Sequence, residues 1–425
     1  MRGLRGLSRR EFLVRAGAAA GGALVIGALP GCGRCGDETP GVKPTAALSK
    51  AAANGAVERF VAQTETAFPL LEVSGGPFDI GFAIGRRFAS QIRKSLEDNA
   101  AWWTDFKRFV ASAPAELRAQ ILAAAERCTP DAVEELRGWA QGSGIPFDDL
   151  LTLNLKCEYG ALLDAARATR EPDASPGCST IVLHDGARLL VAHNEDGDKA
   201  NAQGMFLLRV RPAGKPSFLA ASYPGILPGN APWVNDRGVA ATTNFIYSES
   251  VRPGVGRYFL DRLAVQARSA DEAIAAARHP DRAYASHHVV ASAPERRAVS
   301  IEVTPEGERV AGIRDLFIHT NHLLAPELSL EARDLEHVKS SSLTRFETLT
   351  RWRAAHRDLA AIGADDLVAA LSSHEGRPYS PCRHPEGEIR GATLLSVVID
   401  LDRRTLKIYK GQPCLGRVAQ YPFPA

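Results

Sequence analysis

The chain has no apolar run long enough to cross a bilayer. Its Ala/Gly-rich stretch from Ala16 to Leu29 covers about 14 residues, whereas a membrane-spanning helix needs ~20. Nor is there a basic patch, or an Arg/Lys run interleaved with aromatics, of the kind a nucleic-acid binder presents. No segment recurs at a fixed period, which excludes repeat architectures. Cysteine is sparse and irregular, at positions Cys32, Cys35, Cys128, Cys157, Cys178, Cys382 and Cys414. That spacing builds no disulfide framework, although pairing of Cys382 with Cys414 stays open. His319 and His322 meet no third and fourth ligand at a convincing spacing, so neither a metal site nor a cofactor is expected. A large charge of one sign is also missing. The formal +2 includes five arginines and one glutamate within residues 1–31, so the remainder is near −2.

What is present begins with an export signal. Arg2, Arg5, Arg9 and Arg10 make a basic start, and Ser8-Arg9-Arg10-Glu11-Phe12-Leu13 reads as a twin-arginine address. The apolar stretch ends in Leu29-Pro30-Gly31-Cys32, which resembles a lipobox with Cys32 as the lipidated residue. Residues 1–31 are therefore expected to be a signal, and 32–55 a tether to a membrane anchor. The expected location is the periplasm or the cell surface.

Residues 56–177 read as a mainly helical segment. Helices are expected from Ile80 to about Val110, from Pro114 to Arg127, from Asp131 to Gln141 and from Asp149 to Leu163. Trp102 and Trp103 are expected to pack on the first of these. A polar stretch at 166–177, rich in Arg, Asp and Pro, reads as an exposed loop where a chain can be cut. Residues 178–425 are strand-rich, with expected strands at 178–184, 188–193, 205–211, 217–222, 238–245, 287–293, 298–303, 315–319, 393–400 and 405–409. Helices are expected at 257–278, 340–356 and 364–372. Strand runs separated from helix blocks indicate α+β layering, with both segments in one catalytic domain.

Cys178 is the most informative residue. It opens the first strand of this second segment, directly after Gly177 and at the end of the polar loop. A cysteine there suits a nucleophile that becomes a chain N-terminus after self-cleavage.

Several separate blocks extend this reading. They are Gly76-Pro77-Phe78-Asp79-Ile80-Gly81 with Gly85, Leu153-Asn154-Leu155-Lys156-Cys157-Glu158, and Gly177-Cys178-Ser179-Thr180. Asn194-Glu195-Asp196, Asp236-Arg237-Gly238-Val239-Ala240 with Thr243-Asn244, and His319-Thr320-Asn321-His322 follow in order. Ser341-Ser342, Arg345, Cys382-Arg383-His384 and Thr393 add weaker matches. Together, from about Gly75 to Gly411, the chain resembles the isopenicillin-N acyltransferase-like family of autoproteolytic cysteine hydrolases. The resemblance implies an αββα four-layer sandwich of the N-terminal-nucleophile hydrolase type. It departs from the family where Ser179-Thr180 stands in place of the commoner Thr-Ser. Glu195 stands where related bile-salt and penicillin V hydrolases have an arginine.

By that resemblance, cleavage at Gly177–Cys178 frees the cysteine's α-amine. Gly177 lacks a Cβ and tolerates the backbone strain of this step. A free α-amine, with a pKa of about 7.7–8.0, is suited to act as general base for its own thiol. Asp196, 18 residues after Cys178, is expected to orient the amine. Asn321, 143 residues after it, is expected to stabilise the oxyanion through its side-chain amide, with Asn244 as a second donor. Arg383 is the candidate partner for Asp196 or for a substrate carboxylate. The expected activity is hydrolysis or acyl transfer on linear amides through a Cys178 thioester, with a small-molecule amide as substrate and no nucleic-acid partner. Two alternatives stay open: a phospholipase B- or ceramidase-like lipid hydrolase, which membrane anchoring suits, and a non-catalytic lipoprotein binding module, which would not self-cleave.

Overall fold

The computed structural model describes residues 57–425 except 114, 167–176, 249, 329–335 and 388. The expected signal, the expected lipidation residue Cys32, the expected tether and residues 167–176 of the expected loop before Gly177 lie outside the described residues. No helix among the described residues is long and apolar enough to cross a membrane.

Two sheets form the centre. The larger has nine strands: β1 (Val57–Val61), β2 (Leu70–Gly75), β5 (Phe206–Pro212), β6 (Phe218–Ser222), β7 (Trp233–Asn235), β8 (Val239–Phe245), β9 (Ser286–Ser292), β10 (Arg297–Val303) and β11 (Glu308–Gly312), in that spatial order. Among the strands of the described residues, β2 and β5 are the pair that runs parallel. The smaller sheet is antiparallel, ordered β12 (Asp315–His319), β3 (Gly177–His184), β4 (Leu189–Asp198), β13 (Gly391–Asp400), β14 (Thr405–Lys410) and β15 (Val418–Pro422). The sheets meet face to face through β3 and β8.

Helices cover both outer faces. Outside the larger sheet, α1 (Pro77–Asp98) and α4 (Pro130–Ser143) pack together, and α1 lies on β2 and β5. Also in the helical segment are α2 (Ala100–Ser112), α3 (Ala115–Cys128), α5 (Phe147–Asn154) and α6 (Lys156–Ala166). Past β8, α7 (Arg257–Ala264) leads to α8 (Ala270–Ala277), which lies on β9 and β10. On the smaller sheet, α9 (Glu336–Ala355) packs on β12 and β3, and α10 (Ala364–Leu371) packs on β4 and β13. This is the four-layer αββα sandwich.

The α1–α4 contact explains four glycines. A Cβ on Gly85 would stand 2.3 Å from the Trp139 carbonyl oxygen, and one on Gly138 would stand 2.1 Å from that of Phe78. Gly81 and Gly142 are equally closed in by backbone. The two helices therefore touch backbone to backbone. Trp103 is buried on α2, while Trp102 is 43% exposed.

Three expected helices are each two. The first breaks at Asn99. The Asp149–Leu163 helix breaks after Asn154, whose amide donates to Leu150 O and to Gly225 O while Oδ1 accepts the Leu227 N–H. These distant partners hold the chain at a bend. The 257–278 helix breaks because Ser269 caps a fresh start, its hydroxyl accepting the Glu272 N–H. Strands β1 and β2 also stand inside the segment read as helical, and they complete one edge of the larger sheet.

Candidate active site

Strand geometry sorts the site residues into two faces. Successive side chains on a strand point to opposite sides, and β3 pairs with β4 so that Gly177 faces Asp196, Cys178 faces Glu195 and Thr180 faces His193. Ile181, Leu183, Leu190 and Ala192 pack toward the helix layer with Leu349 and Leu367. Gly177, Ser179 and Asp196 share that side. Cys178, Thr180, His193 and Glu195 face the space between the sheets.

On the inter-sheet side, Cys178 is buried. Burial pushes its thiol well above the ordinary range, Glu195 and Asp196 add to this, and the Phe245 N–H and Arg345 work against it. Thr180 Oγ1 donates to Asn244 Oδ1 at 2.9 Å and lies 2.8 Å from His193 Nδ1. Glu195 lies 3.2 Å from His193 Nε2 and accepts the Tyr223 hydroxyl at 2.7 Å. The Asn244 oxygen also meets His287 Nδ1 at 3.1 Å. Its Nδ2 is buried with no hydrogen-bond partner among the described residues.

On the helix side, Asn321 Oδ1 accepts the Cys178 N–H at 2.8 Å and Arg345 Nη2–H at 2.8 Å. Arg345 Nη1 donates to the Cys178 carbonyl oxygen at 2.5 Å and to Ser179 Oγ at 3.0 Å. Burial lowers the Arg345 pKa to about 10, with Asp196 acting to raise it. Asp196 Oδ1 accepts from Thr393 Oγ1 at 2.7 Å, and that hydroxyl accepts the Arg383 N–H at 2.9 Å. Burial raises the Asp196 carboxyl, against Arg345, Arg383 and Thr393. A Cβ on Gly177 would meet Arg383 Nη1 at 3.1 Å, Arg345 Nη2 at 3.2 Å and Asp196 Oδ2 at 3.3 Å. A side chain at 177 would have to displace the ends of these two guanidinium groups and the carboxylate by a few tenths of an ångström.

The structure thus brings Cys178, Asp196, Asn321, Asn244 and Arg383 to one end of β3. It gives Asn321 a different position from the expected one. Its Nδ2 donates to Phe245 O at 2.8 Å, so the oxygen, not the amide nitrogen, faces Cys178. Turning the amide over would set its NH2 against two donors. Asn244 holds the available amide nitrogen instead. Arg345, met in the sequence only within a weak motif, bridges Cys178 O, Ser179 Oγ and Asn321 Oδ1, with Ser341 Oγ a fourth acceptor at 3.5 Å. Its neighbours at 341 and 342 are serines, and Ser342 Oγ accepts the Asn321 N–H at 2.8 Å. His319 and His322 serve packing: His319 bonds Glu302 at 3.0 Å, and His322 bonds Ser342 at 2.8 Å. The atoms of Cys178, His193 and Glu195 also lie close enough to share a cation, but both His193 nitrogens already face Thr180 and Glu195.

Over 371 residues the chain is 23% identical to the beta-alanyl-dopamine/carcinine hydrolase of Drosophila melanogaster, covering 82% of this chain and 94% of that protein. Over 345 residues it is 25% identical to the acyl-coenzyme A:6-aminopenicillanic-acid-acyltransferase 40 kDa form of Emericella nidulans, covering 80% of this chain and 91% of that one. A variant of conjugated bile acid hydrolase from Clostridium perfringens superposes at a TM-score of 0.40 and 11% identity, covering 58% of this chain and 97% of that chain. The family model described as Acyl-coenzyme A:6-aminopenicillanic acid acyl-transferase matches residues 182–414, more than half of the chain, and spans Asp196, Asn244, Asn321, Arg345 and Arg383. The chain belongs to the acyl-coenzyme A:6-aminopenicillanic acid acyl-transferase family.

Proposed function

We propose that the protein is a self-cleaving cysteine hydrolase or acyltransferase acting on linear amide bonds. One observation carries this reading: the buried Gly177–Cys178 peptide is gripped on both sides of the cysteine. Asn321 Oδ1 accepts its N–H at 2.8 Å and Arg345 holds its carbonyl oxygen at 2.5 Å.

In the precursor the Cys178 sulfur attacks the Gly177 carbonyl carbon. The C–N bond breaks, the nitrogen receives the thiol proton, and Gly177 becomes a thioester. Water hydrolyses this ester, releasing the Gly177 carboxylate and leaving a thiol and a free α-amine on Cys178. Burial, Glu195 and Asp196 keep the thiol protonated, so catalysis needs a base, and the α-amine is adjacent. Asn321 Oδ1, which already accepts from that nitrogen, holds it in place. Asp196 Oδ2 lacks a hydrogen-bond partner among the described residues and faces the ammonium once Gly177 has left. When the sulfur attacks a substrate amide, the α-amine takes the thiol proton and passes it to the leaving amine. Asn244 Nδ2 donates to the oxyanion. Water or an external amine then takes the acyl group from sulfur.

Likeness to the two curated relatives supports an amide between an acyl group and a small amine, or the amine of a β-lactam nucleus, as the substrate. The twin-arginine and lipobox segments support export and anchoring through Cys32, away from cytosolic thioester donors, which favours hydrolysis over acyl transfer. The test is the intact mass of the purified protein beside its Cys178→Ala variant. Two chains in the wild type, the second beginning at Cys178, and one chain in the variant are expected. If both stay whole although folded, the free-amine mechanism is wrong.

A further inference from the structure

Four donor atoms converge on the far side of Arg383. His374 follows α10, Cys382 and His384 flank Arg383, and Cys414 sits in a short 3-10 turn, Pro413–Leu415, after β14. Cys382 Sγ lies 3.6 Å from Cys414 Sγ and 3.5 Å from His384 Nε2. His384 Nε2 lies 3.3 Å from Cys414 Sγ and 3.2 Å from His374 Nε2. All four atoms fall within 4.8 Å of one another.

These four separations match edges of a coordination tetrahedron. With metal–sulfur bonds of about 2.3 Å and metal–nitrogen bonds of about 2.0–2.1 Å, the edges come to about 3.8 Å for S–S, about 3.6 Å for S–N and about 3.3 Å for N–N. Hydrogen bonding does not account for the cluster. His384 Nε2 faces three atoms at once, and an imidazole nitrogen carries one proton or one lone pair. A disulfide does not account for it either, since S–S bonding needs about 2.05 Å. A cation at the centre satisfies all four donors. Two thiolates and two neutral imidazoles are a borderline-soft set that leaves no open position, as in a structural zinc site. His374 and Cys414 are exposed and give the ion a way in.

We propose that His374, Cys382, His384 and Cys414 bind one zinc-class divalent cation. The ion ties the loop before β13 to the turn after β14. Three ligands come from the loop that carries Arg383, whose backbone N–H rests on Thr393 Oγ1 and whose guanidinium crowds Gly177. The ion is a structural clip that holds Arg383 in position and takes no part in bond making.

The test is metal content and thiol state, neither of which needs catalysis. The full exported chain, purified without chelator and incubated with zinc, is expected to hold one zinc per chain by elemental analysis after desalting. Cobalt(II) in its place is expected to give the intense visible absorption of tetrahedral coordination and the near-ultraviolet band of thiolate ligation. Cys414→Ser and His374→Ala are expected to lose the zinc, and chelation is expected to lower Tm. Cobalt spectra of the wild type decide the matter even if a variant misfolds. Absence of metal, with a mass two hydrogens lower and a disulfide linking the Cys382 and Cys414 peptides, overturns the proposal. Zinc retained in both variants also overturns it, by placing the ion elsewhere.

Discussion

Thr180 donates its hydroxyl to Asn244 Oδ1 across the gap between the two sheets, at 2.9 Å. His287 Nδ1 approaches the same oxygen at 3.1 Å. In this orientation the Asn244 oxygen faces both partners, and its nitrogen is the group left for an incoming oxyanion.

Asn244→Ala is therefore expected to lower kcat by about 10²–10³ with little change in KM, the loss typical of one oxyanion donor. Steady-state kinetics on processed enzyme checks this. A change confined to KM would assign Asn244 to substrate binding instead.

Arg345→Lys keeps a positive charge but not the fork that spans Cys178 O, Ser179 Oγ and Asn321 Oδ1. Arginine and lysine are not equivalent at such a site. Self-cleavage is expected to slow at least about tenfold, in line with loss of one charge-assisted hydrogen bond. Time-resolved intact mass after synthesis reads the rate, and an unchanged rate removes Arg345 from the processing step.

Gly85→Ala and Gly138→Ala set two effects of opposite sign against each other. Alanine favours a helix interior by about 1 kcal/mol over glycine. Here the added carbon meets main-chain atoms of the partner helix, at 2.3 Å and 2.1 Å from carbonyl oxygens, and backbone cannot turn aside. Overpacking of this kind costs about 1–3 kcal/mol or more, so each variant is expected to be less stable. Urea unfolding in a Cys178→Ala background, which is expected to keep one chain, measures the sign.

Acid should destabilise the fold. Burial lowers His287 well below the ordinary value, His288 to about 3 and His322 to about 4. A group with a depressed folded pKa contributes its full stability above the unfolded value of about 6.5 and loses it as pH falls toward the folded value. Asp261, raised to about 7 by burial against Arg257, acts the other way, adding stability at low pH that is lost as pH rises through 7. Asp196 and Glu158 are raised by burial as well, while His279 and the Glu302 carboxyl are lowered and side with the three histidines, so Tm is expected to fall from pH 7 to pH 4. His288→Gln should flatten that slope, and a Tm rising toward pH 4 would contradict the balance.

The β3–β4 hairpin was legible because its pattern is local, whereas β15 at the sheet's edge carries no such signal and was not expected. The alternating run at 178–184, the Asp185-Gly186 turn with Gly186 at φ 85° and the buried run after it make a hairpin that needs no distant information. Strand β2 was not legible, because it pairs in parallel with β5 across more than 130 residues. The bend after Asn154 depends on Gly225 and Leu227, and the orientation of Asn321 depends on Phe245. Arg345 gathers acceptors from two distant segments, 178–179 and 321. His374, Cys382, His384 and Cys414 have no motif spacing, and they meet only because the β13–β14 hairpin folds residue 414 back over the Arg383 loop. Periodicity reveals elements, while convergence of side chains from different elements is visible only in three dimensions.

Strand β3 has a neighbour on each side. Its ladder with β4 begins at Gly177 itself, and its ladder with β12 runs from Thr180 to His184. Chain ends usually fray, but an end created between Gly177 and Cys178 would sit inside a sheet whose remaining rungs are intact. Cys178 would keep Glu195 across the strand and Arg345 on its carbonyl oxygen. The cut would change what this residue is covalently joined to and leave what surrounds it as it was, so activation would require no refolding.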